Sequence, residues 1–209
     1  MKKNIKGVMF AMLSSSSFGL IGLFSAPVKH EGLDEFSILF YRFLFSALLL
    51  GLVCIVRKES LAIPKGLRLK LFSLGMLYAS AAFFFLFSFN YLPTGVSTTM
   101  HFMYPIVVSM MMVIFFKEKK SMVTFFATIL AVFGVVMLCW TDGVVISTVG
   151  VLVVLVAVLS YSTYIISVNK SQAGRLNAEV LTFYVMTSGA IIFFFVALAT
   201  PKGLQAIPS

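Results

Sequence analysis

Seven long apolar runs dominate this 209-residue chain, near residues 7–27, 36–56, 71–91, 94–115, 122–140, 145–167 and 179–200. A helix needs about 20 apolar residues to cross a hydrocarbon core. In lipid each backbone amide must also find its partner inside its own segment. The runs therefore predict an all-α, multi-pass membrane protein with seven spans. A β-barrel would show alternating strands of about ten residues, and the sequence has none. Composition agrees, with 60% hydrophobic and 11% charged residues, against about 45–50% and 25% in soluble domains. Soluble enzymes, nucleic-acid binders and disordered chains are excluded. Lys2, Lys3 and Lys6 precede the first run as in a signal peptide. That run is too long for one, and Pro27 follows the small pair Ser25–Ala26, so it reads as an uncleaved span.

Basic residues set the expected threading. With the N-terminus in the cytoplasm, 13 of the 16 Lys and Arg lie inside and only Lys29 and Lys202 outside, while Arg42 sits within span two. The expected location is the cytoplasmic membrane. Cys54 and Cys139 fall at opposite depths, which argues against a disulfide and for small packing residues.

A shift of 143 residues places Phe40–Tyr41 on Phe183–Tyr184, Gly7–Val8 on Gly150–Val151, and Ser17, Leu33, Ala47 and Val53 on Ser160, Leu176, Ala190 and Val196. It carries spans one and two onto six and seven with the loop length between them kept. One repeat then holds five helices, an odd number, so the second copy enters from the other side of the membrane, the inverted-repeat plan of many secondary transporters. The expected division is a first five-helix repeat over 1–143 and two helices of a second over 144–209. A full second unit would run to about residue 292, so about three of ten helices lie beyond the 209 residues.

The polar residues inside the spans are few. Arg42 is about six residues from the outer end of its helix, and a charge at that depth is costly without a partner. Two readings stand: it snorkels to headgroups as a structural clamp, or it faces a cavity and holds a substrate carboxylate or other anion. In span four, Thr94, Ser97, Thr98, His101, Tyr104 and Pro105 share one face, opposite Val96, Met100, Met103, Ile106 and Val107. His101 and Tyr104 fall near the midplane, which points the stripe at a cavity, although hydroxyl stripes also serve interhelical packing. In span one, Ser15, Gly19, Gly22 and Ala26 form a close-packing face, leaving Ser14 and Ser17 for the cavity. Span six offers Ser160, Tyr161, Tyr164 and Ser167, and span seven Tyr184, Thr187 and Ser188, where packing is the simpler reading. All seven carboxylates, Glu31, Asp34, Glu35, Glu59, Glu118, Asp142 and Glu179, lie at span ends or in loops. Ion coupling would then fall to His101, to the missing helices, or be absent. No zinc-ligand spacing, nucleophile elbow or phosphate loop occurs, so neither enzyme chemistry nor a metal or cofactor is expected.

In this order the segments "SSSSFGLIGLFSAPV", "FYRFLFSALLL", "YLPTGVSTTMHFMYPIVVSMMMVIFFKEKKS" and "ATILAVFGVVML" resemble the EamA-type branch of the drug/metabolite transporter superfamily. Arg42 falls on that family's arginine, Pro105 on its mid-helix proline and Glu118 on the acidic residue closing the helix. Val185 stands where a second-repeat arginine would. The resemblance implies a ten-helix carrier of small polar or amphipathic metabolites, an exporter or exchanger working by alternating access. The expected substrate-binding residues are Arg42, His101, Tyr104, Ser97, Ser17, Tyr161 and Tyr184. The expected partners are a small-molecule substrate and the lipid bilayer, with a homodimer allowed and nucleic acid excluded. The rival readings are an inactive fragment and a non-transport bundle such as a receptor or sensor.

Overall fold

The structure, a computed structural model, describes residues 32–117 and 147–205 together with isolated positions within 9–28 and 122–137. Apart from those isolated positions, the spans expected over 7–27 and 122–140 lie outside the described residues, as does Cys139. The helices are α1 (Glu35–Val56), α2 (Lys65–Ser88), α3 (Thr94–His101), α4 (Tyr104–Phe116), α5 (Thr148–Lys170) and α6 (Ala178–Ala199), with a 3-10 turn at Gln172–Arg175. Counting α3 and α4 as one crossing, five segments are long and apolar enough to span a membrane, and no strand occurs among the described residues. The chain is a multi-pass helical membrane protein.

Local chemistry explains the helix limits. Asp34 caps α1 by accepting from the Ser37 amide at 3.0 Å, and Glu35 adds negative charge to the first turn. α1 ends where Lys58 turns left-handed (φ 53°) and the Glu59 amide reaches back to the Cys54 carbonyl at 2.9 Å, the closing pattern that glycine usually serves. α2 starts six residues before the expected 71, taking in Lys65, Arg68 and Lys70. Long basic side chains let a helix continue past the hydrocarbon, since their heads reach water from the first turns. Ser147 caps α5 through the Gly150 amide, which moves the start of that helix from the expected 145 to Thr148.

The fourth crossing departs from the unbroken helix expected over 94–115. It breaks at Phe102–Met103, and Pro105 is the second residue of α4. Proline has no amide to return to the His101 carbonyl, and its ring would collide there, so α3 stops at His101. The break rotates the two pieces, and the expected six-residue polar face does not persist: Ser97 and His101 are buried while Pro105 is exposed.

The most extensive helix pairing is α1 on α6. The two run antiparallel, because Phe40 meets Phe194 (ring centroids 5.6 Å apart) while Gly51 lies against the Phe183 ring. Adding 143 to one partner and subtracting it from the other converts the first contact into the second. An open apolar groove of ≈660 Å³ follows this seam, lined by the like-numbered pairs Phe40 and Phe183, Ala47 and Ala190, and Gly51 and Phe194. Phe43 is fully buried in the notch left by Gly189, where any Cβ would overlap its ring. Both ends are tied. The Tyr184 hydroxyl donates to the Leu61 carbonyl at 2.6 Å, and the Tyr41 hydroxyl donates to the Gln205 carbonyl at 3.0 Å.

The other main interface is α2 on α5, with α3 and α4 against α5. Leu92, Val96, Met100, Val154 and Val158 form the apolar cluster there. This interface positions the candidate site.

Candidate functional site

Four helices bring one polar group each to the middle of the bundle: Arg42 from α1, Tyr78 from α2, His101 from α3 and Tyr161 from α5. With Ala81, Ala82 and Phe85 they line a cavity of ≈10 Å³, about the room that one water needs. The two alanines keep the α2 side shallow enough for His101 to approach. His101 is 2% exposed. Its ring lies 4.6 Å from Phe85 and 5.5 Å from Tyr161, centroid to centroid. Tyr161 in turn meets Tyr104 edge to face at 4.8 Å and Tyr78 at 6.0 Å. The Arg42 guanidinium carbon is 6.0 Å from the centroid of the neighbouring Phe43 ring, at the edge of cation–π range.

The expected site residues divide into three groups. Arg42, His101 and Tyr161 meet at the cavity. Tyr104 and Ser97 border it: the Tyr104 ring packs on Tyr161, and its carbonyl accepts from the Ser162 hydroxyl at 3.3 Å. Ser97, one turn before His101, is fully buried, and its hydroxyl has no hydrogen-bond partner among the described residues. Tyr184 and Ser17 lie elsewhere. Tyr184 ties α6 to the connector before α2 through Leu61, and Ser17 is exposed with its hydroxyl donating to the Leu13 carbonyl at 2.9 Å. Val185, at the position matching Arg42, is fully buried in the apolar cluster of α2 and α6.

Tyr78, Ala81, Ala82 and Phe85 were not anticipated. A signal for them exists: Tyr78 is the only tyrosine of α2, beside the small residues of "YASAA". A lone tyrosine next to small residues marks a face that another helix approaches closely.

Chemically, the site offers one permanent cation with five donors, one imidazole and several phenols. Among the described residues no carboxylate lines it. Among the described residues no three His, Cys, Asp or Glu converge as a metal site would need, and Cys54 is buried with a free thiol at the far end of α1. A positive charge walled by aromatic rings suits holding an anion; it supplies no nucleophile paired with a base.

The sequence matches the EamA-like transporter family over residues 5–140, well over half of the chain. The chain belongs to the EamA-like transporter family. Arg42, Ser97, His101 and Tyr104 fall within the EamA-like match, whereas Tyr161, Tyr164 and Tyr184 come after it. Mouse "Solute carrier family 35 member G1" is 30% identical over 132 residues, which are 63% of this chain and 35% of that relative. The chain thus spans about a third of the relative's length. No solved structure matches the chain.

Proposed function

We propose that this EamA-like protein is a secondary transporter of small anionic or amphipathic metabolites, working by alternating access in the cytoplasmic membrane with its N-terminus inside. The observation that carries the reading is the convergence of Arg42, Tyr78, His101 and Tyr161 on one mid-bundle cavity. Lipid-facing arginine is costly, and a cavity removes that cost. The reciprocal contacts of α1 and α6 support an inverted-repeat plan, and they suit a rocking exchange between halves. The 13-to-2 bias of basic residues supports the threading.

The test is metabolite profiling of a bacterial host expressing the wild type, Arg42→Gln or an empty vector. An anionic metabolite enriched in the medium only with the wild type, at equal protein abundance, is the expected result. If the wild type and empty vector give the same profile, the export reading fails and uptake must be measured. No flux in either direction leaves the non-transport bundle.

A further inference from the structure

A second and wider hollow opens between α2 and α5 at the basic end of the bundle. It has a volume of ≈290 Å³ and is lined by Lys70, Ser73 and Leu77 of α2 with Ser167 and Ser171 at the end of α5. It shares no residue with the Arg42 cavity and opens on an adjoining face of the same two helices, but Leu74 in its wall belongs to the cluster on which Tyr78 of the cavity packs. Along α2 the lining passes from Lys70, Ser73 and Leu77 to Tyr78, Ala81 and Phe85; along α5 it passes from Ser171 and Ser167 to Tyr161. Between them, Tyr78 meets Tyr164 edge to face at 5.2 Å, backed by Leu74 and Val168. From Lys70 to Ala82 is about 18 Å at 1.5 Å per helical residue.

The chemistry of the hollow points to anions. Ser73 and Ser171 donate to the Leu69 and Val168 carbonyls of their own helices, which leaves the Lys70 ammonium and the Ser167 hydroxyl as donors towards a ligand. Among the described residues no carboxylate lines the hollow. The two nearest in sequence at this end are engaged across the α1–α6 pair, Glu179 with Arg57 and Glu59 with Asn177. A low-dielectric cleft with one sign of charge at its mouth concentrates ions of the other sign.

We propose that this hollow is the vestibule through which a small carboxylate or phosphate anion reaches Arg42, and that the Tyr78–Tyr164 ring pair is the barrier between them. The proposal rests on the transport reading but is tested without knowing the substrate. In a Cys54→Ala, Cys139→Ala background, Ser167→Cys reports on the vestibule and Ala82→Cys on the cavity. Each is reacted in neutral-lipid vesicles, at low salt, with sulfonate-bearing and trimethylammonium-bearing methanethiosulfonates of similar size. Ser167→Cys should react several-fold faster with the sulfonate, and Lys70→Gln should remove that preference. Ala82→Cys should stay unreactive until Tyr164→Ala or Tyr78→Leu removes a ring, and Tyr164→Phe should keep it closed. A retained sulfonate preference at Ser167→Cys shows that the ring variants are folded.

Equal rates for the two reagents, or a preference indifferent to Lys70→Gln, would overturn the vestibule. Ready labelling of Ala82→Cys with both tyrosines present would overturn the barrier. Free phosphate should slow the sulfonate reagent; protection by added anionic phospholipid alone would assign the hollow to lipid headgroups instead and reject it as a solute path. Arg42-dependent flux without a sulfonate preference sinks only this proposal. A sulfonate preference without Arg42-dependent flux sinks the transport reading.

Discussion

The α1–α6 seam and the α2–α3–α5 interface are built on opposite principles. Along the seam, residues 143 apart do the same job: Phe40 and Phe183, Ala47 and Ala190 line one apolar groove, and Tyr41 and Tyr184 each donate to a carbonyl in a connector of the other helix. At the polar interface the correspondence fails. Arg42 reaches the cavity, whereas Val185 is packed in an apolar cluster. A seam between two helices is touched alike from both sides, so like residues can serve on each. The lining of a polar cavity meets one centre from several sides, so its members are free to differ. On the transport reading proposed above, the difference separates residues that keep the fold from residues that choose a ligand.

The sharpest way to break this division is at Gly189. Gly189→Leu drives a side chain into the Phe43 ring; overpacking a close-packed site costs about 1–3 kcal/mol or more. Little folded protein should survive detergent extraction, as read by size-exclusion chromatography. Normal yield would mean that the seam is not close-packed. Next, Arg42→Gln should lower flux by about tenfold, the worth of one hydrogen bond to a charged group, while abundance holds. A parallel fall in abundance would move Arg42 to the structural side. His101→Leu should lower flux about threefold at equal abundance, the worth of one neutral hydrogen bond, since the imidazole lines the cavity beside Arg42. Unchanged flux would leave His101 a packing residue. The smallest effect belongs to Tyr184→Phe, which deletes one hydrogen bond worth about 0.5–1.5 kcal/mol. Thermal stability should drop slightly, with the affinity for substrate unaltered; a change in affinity would join the seam to the site.

How much of this was legible depended on whether the signal was local. The run 36–56 with Asp34 before it specified α1 almost to the residue, since lipid demands a helix and aspartate caps one. The onset of α2 was obscured because Lys65, Arg68 and Lys70 read as loop charges, while their heads reach water from a helix. Pro105 was visible, but its effect on the polar stripe was not: one interrupted turn moves every later side chain around the axis. Arg42, His101 and Tyr161 stood out as polar residues in apolar runs. Tyr78 and Phe85 joined them only through tertiary approach, which no periodicity encodes.

Phe43 in its notch at Gly189 has a consequence for its neighbour. Successive residues on a helix are about 100° apart, at 3.6 per turn, so the heading of Arg42 follows from where Phe43 points. While that ring is keyed into α6, α1 cannot spin about its own axis, and the guanidinium stays aimed between α2, α3 and α5. The glycine acts as a keyway, and an apolar fit on one side of a helix thereby sets the compass bearing of the charge on the other.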